Sequence, residues 1–302
     1  MWLIIGTIPD ADFALSCDGL MERPPAVCGD SLLLPDGRAV PVQRGTSALA
    51  ATAILTCKAR NVPLPGLLLA GDTGSGKGSR QAYAWLERYL PDLKQEQIDG
   101  LTFHYLFPDI DWHNRVLLAI QALEYPPILV ADAGFMYVAK MSGYADAYDL
   151  FTPDLGELAF LADEKAPHPF YTRGFLLAEE TDIPALLQRA RQHGNCPPNL
   201  VVKGATDYIV CQNSIRYAVS EPAVPAMECI GGTGDLLTGL VTAFLAEGKE
   251  LCQAALGAVR TARSLAAHCQ PCPDTQIGEL IAQLPAVLQR AQDSLFTPSG
   301  TC

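Results

Sequence analysis

Short, wholly apolar runs alternate with helical ones through this chain, and no other feature limits the fold as tightly. Leu67-Leu68-Leu69-Ala70, Ile128-Leu129-Val130-Ala131 and Leu200-Val201-Val202 are too short for helices and offer no polar face to water. Strands of that kind are buried on both sides, as in a mostly parallel sheet covered by helices. Residues 101–106 add a strand, and Leu150-Phe151-Thr152 another. Helices are predicted over residues 45–61, 79–89, 112–123, 156–162 and 184–193. Residues 208–211 and 215–217 read as a hairpin, and helices over 235–247, 251–268 and 277–293 close the chain. The alternation predicts the α/β class in a single domain, 1–302, with no internal repeat and no linker. Residues 1–60 are atypical. Their first stretch is irregular apart from a hairpin signal at Pro35-Asp36-Gly37, between 31–34 and 38–42. Residues 296–302 are expected to form a loose tail.

Composition narrows the function classes. The 302 residues are 49% hydrophobic, enough for a full core, and the formal charge is −12 without any cluster of Lys and Arg. Nucleic acid and anionic membrane surfaces are therefore excluded as partners. A small anionic ligand has to be held by backbone N–H groups and a few placed cations. No apolar run approaches the roughly 20 residues of a membrane span. Met1-Trp2-Leu3-Ile4-Ile5-Gly6 lacks the basic leader of a signal peptide. Ten cysteines lie singly in apolar segments, as at Cys57, Cys211 and Cys229. That usage predicts buried thiols in a reducing cytoplasm rather than a disulfide framework.

The densest chemical signal is Gly231-Gly232-Thr233-Gly234-Asp235-Leu236-Leu237-Thr238-Gly239. It opens a helix so apolar that it must be buried, and Gly248 closes it. The first turn of a helix carries unpaired N–H donors and the positive end of the dipole, which attract phosphate oxygens. Asp235 would repel a phosphate. Its presence makes sense as a base for a hydroxyl about to meet a phosphoryl group. The plainer alternative is an N-capping Asp after a tight turn.

Three further blocks follow strands. Gly71-Asp72-Thr73-Gly74-Ser75-Gly76-Lys77-Gly78-Ser79 has the strand–glycine loop–helix setting in which amides approach a ligand. It nearly matches a P-loop, with Ile128 to Asp132 as the acidic strand, but Gly78 lacks the hydroxyl that would hold magnesium. A dinucleotide fingerprint fits less well, and a turn serving backbone geometry alone stays open. Val201-Val202-Lys203-Gly204-Ala205-Thr206-Asp207 is a strand ending in a cation and a glycine. Lys203 could meet a nucleotide phosphate or be a solvated strand end. Thr152-Pro153-Asp154-Leu155-Gly156-Glu157 gathers negative charge at a helix start, for metal or substrate contact or for capping.

The order of these blocks resembles the ribokinase-like superfamily, and 231–239 is most similar to the nucleotide-dependent NAD(P)H-hydrate dehydratases. The likeness spans roughly residues 65–270. It implies a three-layer αβα sandwich and transfer of a nucleotide γ-phosphoryl to a small-molecule hydroxyl, with ATP or ADP and Mg²⁺ as cofactors. It implies a catalytic Asp235, and nucleotide contacts at Lys203, Gly204, Thr206, Gly232, Thr233 and Gly234. Substrate contacts fall to Gly74, Gly76, Asp132 and Asp154, and a metal contact to Glu157, direct or through water. Partners would be the small-molecule substrate and the nucleotide, and a homo-oligomer is compatible.

Two departures bear on the substrate. Dehydratases usually show Thr-Pro-His-x-Gly-Glu, where this chain has Asp154 in place of the His. Their Lys-Gly-x-x-Thr also ends here in Asp207, with Thr206 before it. Residues 132–136 and 139–143 are reminiscent of vitamin kinases acting on hydroxymethylpyrimidine or pyridoxal. The expected activity is therefore an ATP- or ADP-dependent dehydratase. A small-molecule kinase and an inactive nucleotide-binding homologue are the alternatives, and a P-loop ATPase comes after them. Asp109, Asp111 and His113 alternate like metal ligands but lack a fourth. The single Cys269-Gln270-Pro271-Cys272 lacks a partner pair, and no Gly-x-Ser-x-Gly elbow or HExxH is present.

Overall fold

The computed structural model describes residues 1–18, 24–91, 98–166, 182–291 and 295–296. The strands are β1 (Trp2–Ile8), β2 (Ser16–Asp18), β3 (Ala26–Cys28), β4 (Ser31–Leu33), β5 (Ala39–Pro41) and β6 (Gly66–Gly71). They continue as β7 (Gly100–His104), β8 (Ile128–Asp132), β9 (Leu150–Phe151), β10 (Asn199–Val202), β11 (Asp207–Cys211) and β12 (Ser214–Val219). Among the described residues, nine of them form one sheet in the order β12-β11-β10-β9-β8-β7-β1-β6-β2. From β10 to β6 every neighbour is parallel, and antiparallel pairs occur at the two edges. The predicted α/β class holds.

The helices are α1 (Thr46–Arg60), α2 (Lys77–Tyr89), α3 (Ile110–Gln121), α4 (Gly134–Met141) and α5 (Leu155–Ala162). They are followed by α6 (Ile183–Gln192), α7 (Thr233–Ala246), α8 (Leu251–Cys269), α9 (Ile277–Ile281) and α10 (Leu284–Ala291). Strand side chains alternate between two cores, as a period of two requires. Ile4, Leu67, Leu69 and Val201 join α1, α7 and α8 on one face, and Leu3, Ile5, Leu68 and Leu200 join α2 to α6 on the other. The three layers follow from that alternation.

Three expectations need correction. The N-terminal stretch is not irregular: Trp2–Ile8 is buried throughout and lies between β6 and β7, at the middle of the sheet. The segment after Asp132 forms the helix α4. The predicted helix over 277–293 is two, α9 and α10, and its last two residues lie outside those described. Cysteine usage is mixed: Cys57 is buried, with burial pushing its thiol up to about 12, but Cys229 is exposed and Cys211 forms a disulfide with Cys252. The hairpin at 31–42 forms as β4 and β5 in a small separate sheet with β3. Of the predicted tail, Phe296 packs edge-on against Phe244, and 297–302 lie outside the described residues. No helix among the described residues is long and apolar enough to cross a membrane.

Candidate active site

A parallel sheet sends every strand's carboxyl end to one edge, where ligands meet strand-end side chains and helix N-termini. Here β7 ends in His104, β8 in Asp132, and β10 runs into Lys203, while α7 starts opposite them. A cavity of about 760 Å³ opens at this edge, with Asp132, Lys203, Asp235 and Tyr105 on its wall.

Gly232 takes φ 96° as the residue before α7, a left-handed turn that glycine adopts without a Cβ penalty. Leu236 donates the first intrahelical bond, to the carbonyl of Gly232. The amides of Thr233, Gly234 and Asp235 precede it and are first-turn orphans on the cavity wall. Lys203 stands over them: a Cβ on Gly234 would lie 3.2 Å from its Nζ, so glycine is what lets the ammonium approach the helix mouth.

Lys203 donates from Nζ to Asp132 Oδ1 at 3.0 Å, and Thr238 donates to Asp132 Oδ2 at 2.6 Å. Burial opposes the charge on Lys203, but Asp132, Glu157 and Asp154 outweigh it and hold its pKa above the ordinary lysine value. Asp235, buried in the first turn of α7, accepts from the Gly45 amide at 2.5 Å through Oδ2 and lies 3.0 Å from His104 Nε2 through Oδ1. Burial favours its neutral form. The bonds from His104 and Gly45 and the charge of Lys203 reverse that, so its pKa lies below the usual carboxylate value.

The remaining predicted residues divide. Gly204 is on the wall, with its amide donating to Asp207 Oδ1 and its carbonyl accepting from Arg263. Arg263 also binds Asp207 Oδ2 and the Ala205 carbonyl, so Asp207 and an α8 arginine shape this turn, and Thr206 is not on the wall. Asp154 and Glu157 are on the wall and complete a reciprocal capping box for α5. Glu157 Oε2 accepts from the Asp154 amide and Oε1 from the Tyr137 hydroxyl, so both its oxygens are engaged. Burial pushes its pKa up. The capping reading of this block is therefore realised, and the metal contact expected at Glu157 would have to share oxygens that already accept hydrogen bonds.

Gly74 and Gly76 do not line this cavity. Their amides donate to Asp72 Oδ1 at 2.9 and 3.0 Å, while Ser79 donates to Oδ2 through amide and hydroxyl. The loop closes around its own carboxylate, which also removes the P-loop reading. Asp109 caps α3 and pairs with Arg80, Asp111 pairs with Arg115, and His113 is buried against Tyr148, so these three do not converge on a metal.

Sequence reasoning missed His104, Tyr105 and Thr238. His104 and Asp132 are register partners on adjacent strands, and that alignment was the available signal. Donor atoms of His104, Asp132 and Asp235 lie within 4.8 Å of one another. They already bond to each other, Lys203 and Thr238, and an imidazole is a poor donor for a hard cation. Asp154 fits a water-mediated Mg²⁺ contact better, since Glu157 engages only one of its oxygens.

Comparison with known proteins agrees with this architecture. The family model described as NAD(P)H-hydrate dehydratase matches residues 108–280. Uncharacterized protein MJ1337 of Methanocaldococcus jannaschii is 38% identical over 224 residues, 74% of this chain and 90% of that protein. Among solved structures, a ribokinase-like superfamily protein from Enterococcus faecalis superposes with TM-score 0.57 at 13% identity, covering 96% of this chain and 86% of its own. The ADP/ATP-dependent NAD(P)H-hydrate dehydratase from Bacillus subtilis, co-crystallized with ATP/Mg²⁺, gives 0.54 at 15%, covering 96% and 90%. A putative phosphomethylpyrimidine kinase from Bacteroides thetaiotaomicron gives 0.57 at 18%, covering 95% and 93%. At these identities the superpositions establish the ribokinase-like fold.

Proposed function

The chain belongs to the NAD(P)H-hydrate dehydratase family, and from that premise we propose that it transfers a phosphoryl group from ATP or ADP to the hydroxyl of hydrated NAD(P)H. Loss of phosphate then restores the reduced nicotinamide. The observation that carries this reading is the meeting, in one cavity, of the orphan amides of α7, the Lys203 ammonium and the Asp235 carboxylate.

Each group has a part. The amides of Thr233 and Gly234 and the Lys203 ammonium offset negative charge on the phosphoryl oxygens, in a site already organised for it. Asp235 is ionised and accepts the substrate hydroxyl, aiming its oxygen and taking its proton as the phosphoryl group arrives. Mg²⁺ would supply positive charge against the phosphate, with Asp154 holding it through water. Gly204, in the turn fixed by Arg263, and Gly232 at the helix mouth border the nucleotide, with Asp132 keeping Lys203 in place.

The test is direct. Hydrated NADH is incubated with the protein, Mg²⁺ and ATP or ADP, and the reduced-nicotinamide absorbance is followed. It should return. Asp235→Asn should lower turnover about 10²–10⁴-fold while nucleotide still binds, and undiminished turnover refutes the role. A small-molecule kinase is the second reading, favoured by Asp154. Its carboxylate caps α5 at the position where dehydratases carry a substrate-binding His. Nucleotide turnover stimulated by a vitamin or sugar hydroxyl, with no return of nicotinamide absorbance, would select it.

A further inference from the structure

We infer that His104 is a positioning residue: it holds the Asp235 carboxylate toward the substrate and away from Lys203. The inference rests on the role proposed for Asp235 above, and deepens it.

His104 is 0% exposed, and both its ring nitrogens are engaged. Nε2 lies 3.0 Å from Asp235 Oδ1 and Nδ1 lies 3.1 Å from Thr46 Oγ1. A carboxylate only accepts, so Nε2 carries a proton and Thr46 sets the ring's rotation from the other side. Room for this pair is made in β1. A Cβ on Gly6 would fall 2.5 Å from the Thr46 side chain and 2.8 Å from the His104 carbonyl. The Tyr105 ring packs edge-on against the imidazole, centroids 4.4 Å apart. His104 is thus sealed from the cavity and acts only through Asp235.

That action has a geometric necessity. Lys203 Nζ sits over Gly234, one residue before Asp235, and its charge draws this carboxylate toward it. Two donors from different elements prevent that swing: His104 from β7 on Oδ1, and the Gly45 amide before α1 on Oδ2. Lys203 remains paired with Asp132, whose Oδ2 is 3.9 Å from His104 Nε2. The site therefore keeps two separate pairs, one aimed at phosphate and one at hydroxyl. Without the imidazole, Oδ1 loses both its donor and its aim at the substrate hydroxyl, while Asp132 still keeps Lys203 for the phosphate.

The titratable and charged groups around Asp235 are His104 on β7, Tyr105 after it, Asp132 on β8 and Lys203 after β10, with Arg44 preceding the Gly45 donor and packed against the Gly232 turn. Of these, His104 donates directly to it.

The experiment compares His104→Gln, which retains an N–H donor, with His104→Leu, which does not, and with Thr46→Val, which frees the ring. In His104→Leu, kcat should fall about 10²-fold, the cost of a misplaced reacting group, with KM and nucleotide affinity within threefold. The acid limb of the pH profile should move upward, and His104→Gln should recover much of both effects. Thr46→Val should give a smaller loss of the same kind, and it tests the idea if His104→Leu does not fold. Carboxyl-carbon NMR of Asp235 separates this claim from the proposed activity. Its titration should shift upward in His104→Leu and not in His104→Gln, whether or not the wild type restores NADH. An unmoved Asp235 titration, or unchanged kcat in both His104→Leu and Thr46→Val, overturns the assignment.

Discussion

Gly239→Ala probes how closely the helix carrying Asp235 is seated. Gly239 lies one turn after Asp235 on α7, where that helix crosses α1. A Cβ there would be 2.5 Å from the Leu49 carbonyl oxygen and 2.8 Å from Thr52 Cβ, where ordinary contact begins at 3.4 Å. The shortfall is about 0.9 Å, and it is against backbone and a β-branched carbon, which no rotamer can withdraw. In an open helix the same substitution would gain about 1 kcal/mol of propensity. Overpacking a dense core costs about 1–3 kcal/mol, toward the upper end where backbone has to move. The expected net loss is about 2 kcal/mol, or a fall in Tm of about 3 °C. Thermal denaturation followed by circular dichroism reads it. Gly231→Ala is the control, because nothing lies within 4 Å of a Cβ there. A Gly239→Ala protein as stable as wild type would refute this account of the α1–α7 contact.

Two other outcomes follow from buried contacts. Lys140 donates from Nζ to the carbonyls of Phe160, Asp163 and Ala166, and burial pushes its pKa down to about 8 from 10.5. The folded chain therefore sheds this proton first, and unfolding between those two values takes one up. Stability relative to Lys140→Met should rise with pH across that window, and a difference in Tm that stays flat there contradicts the burial. The Cys211–Cys252 disulfide joins β11 to α8 across 41 residues. Loop entropy alone makes its reduction, or Cys252→Ser, worth about 4 kcal/mol. Denaturant melts with and without reductant measure it, and coincident midpoints would rule it out.

Much of this site was legible because its residues sit where strands stop and helices start. Asp132 and Lys203 each end an apolar run and Asp235 opens one, and the parallel sheet brings those ends to one edge. His104 was hidden because the run to Leu106 reads as one strand. The strand ends at His104, and Tyr105 turns the chain at φ 53°, a left-handed conformation that propensity does not foresee for tyrosine. Strand β1 was hidden too, since a strand at the terminus has no preceding helix to complete the alternation. The glycine loop misled for another reason. Its spacing describes amides that converge on an anion, and sequence does not say that the anion is Asp72, two residues before Gly74. Gly74 and Gly76 turn to Asp72 on such local bonds, which spacing cannot rank.

That internal counter-anion gives the sheet edge a polarity. Two glycine-lined mouths open there, at the starts of α2 and α7, and the first is already stoppered by a carboxylate tethered within it. An incoming phosphate chain would have to displace a group that cannot diffuse away, whereas at the second mouth it meets unclaimed amides. A nucleotide lying along this edge is thereby given a head and a tail before any contact is made with its base.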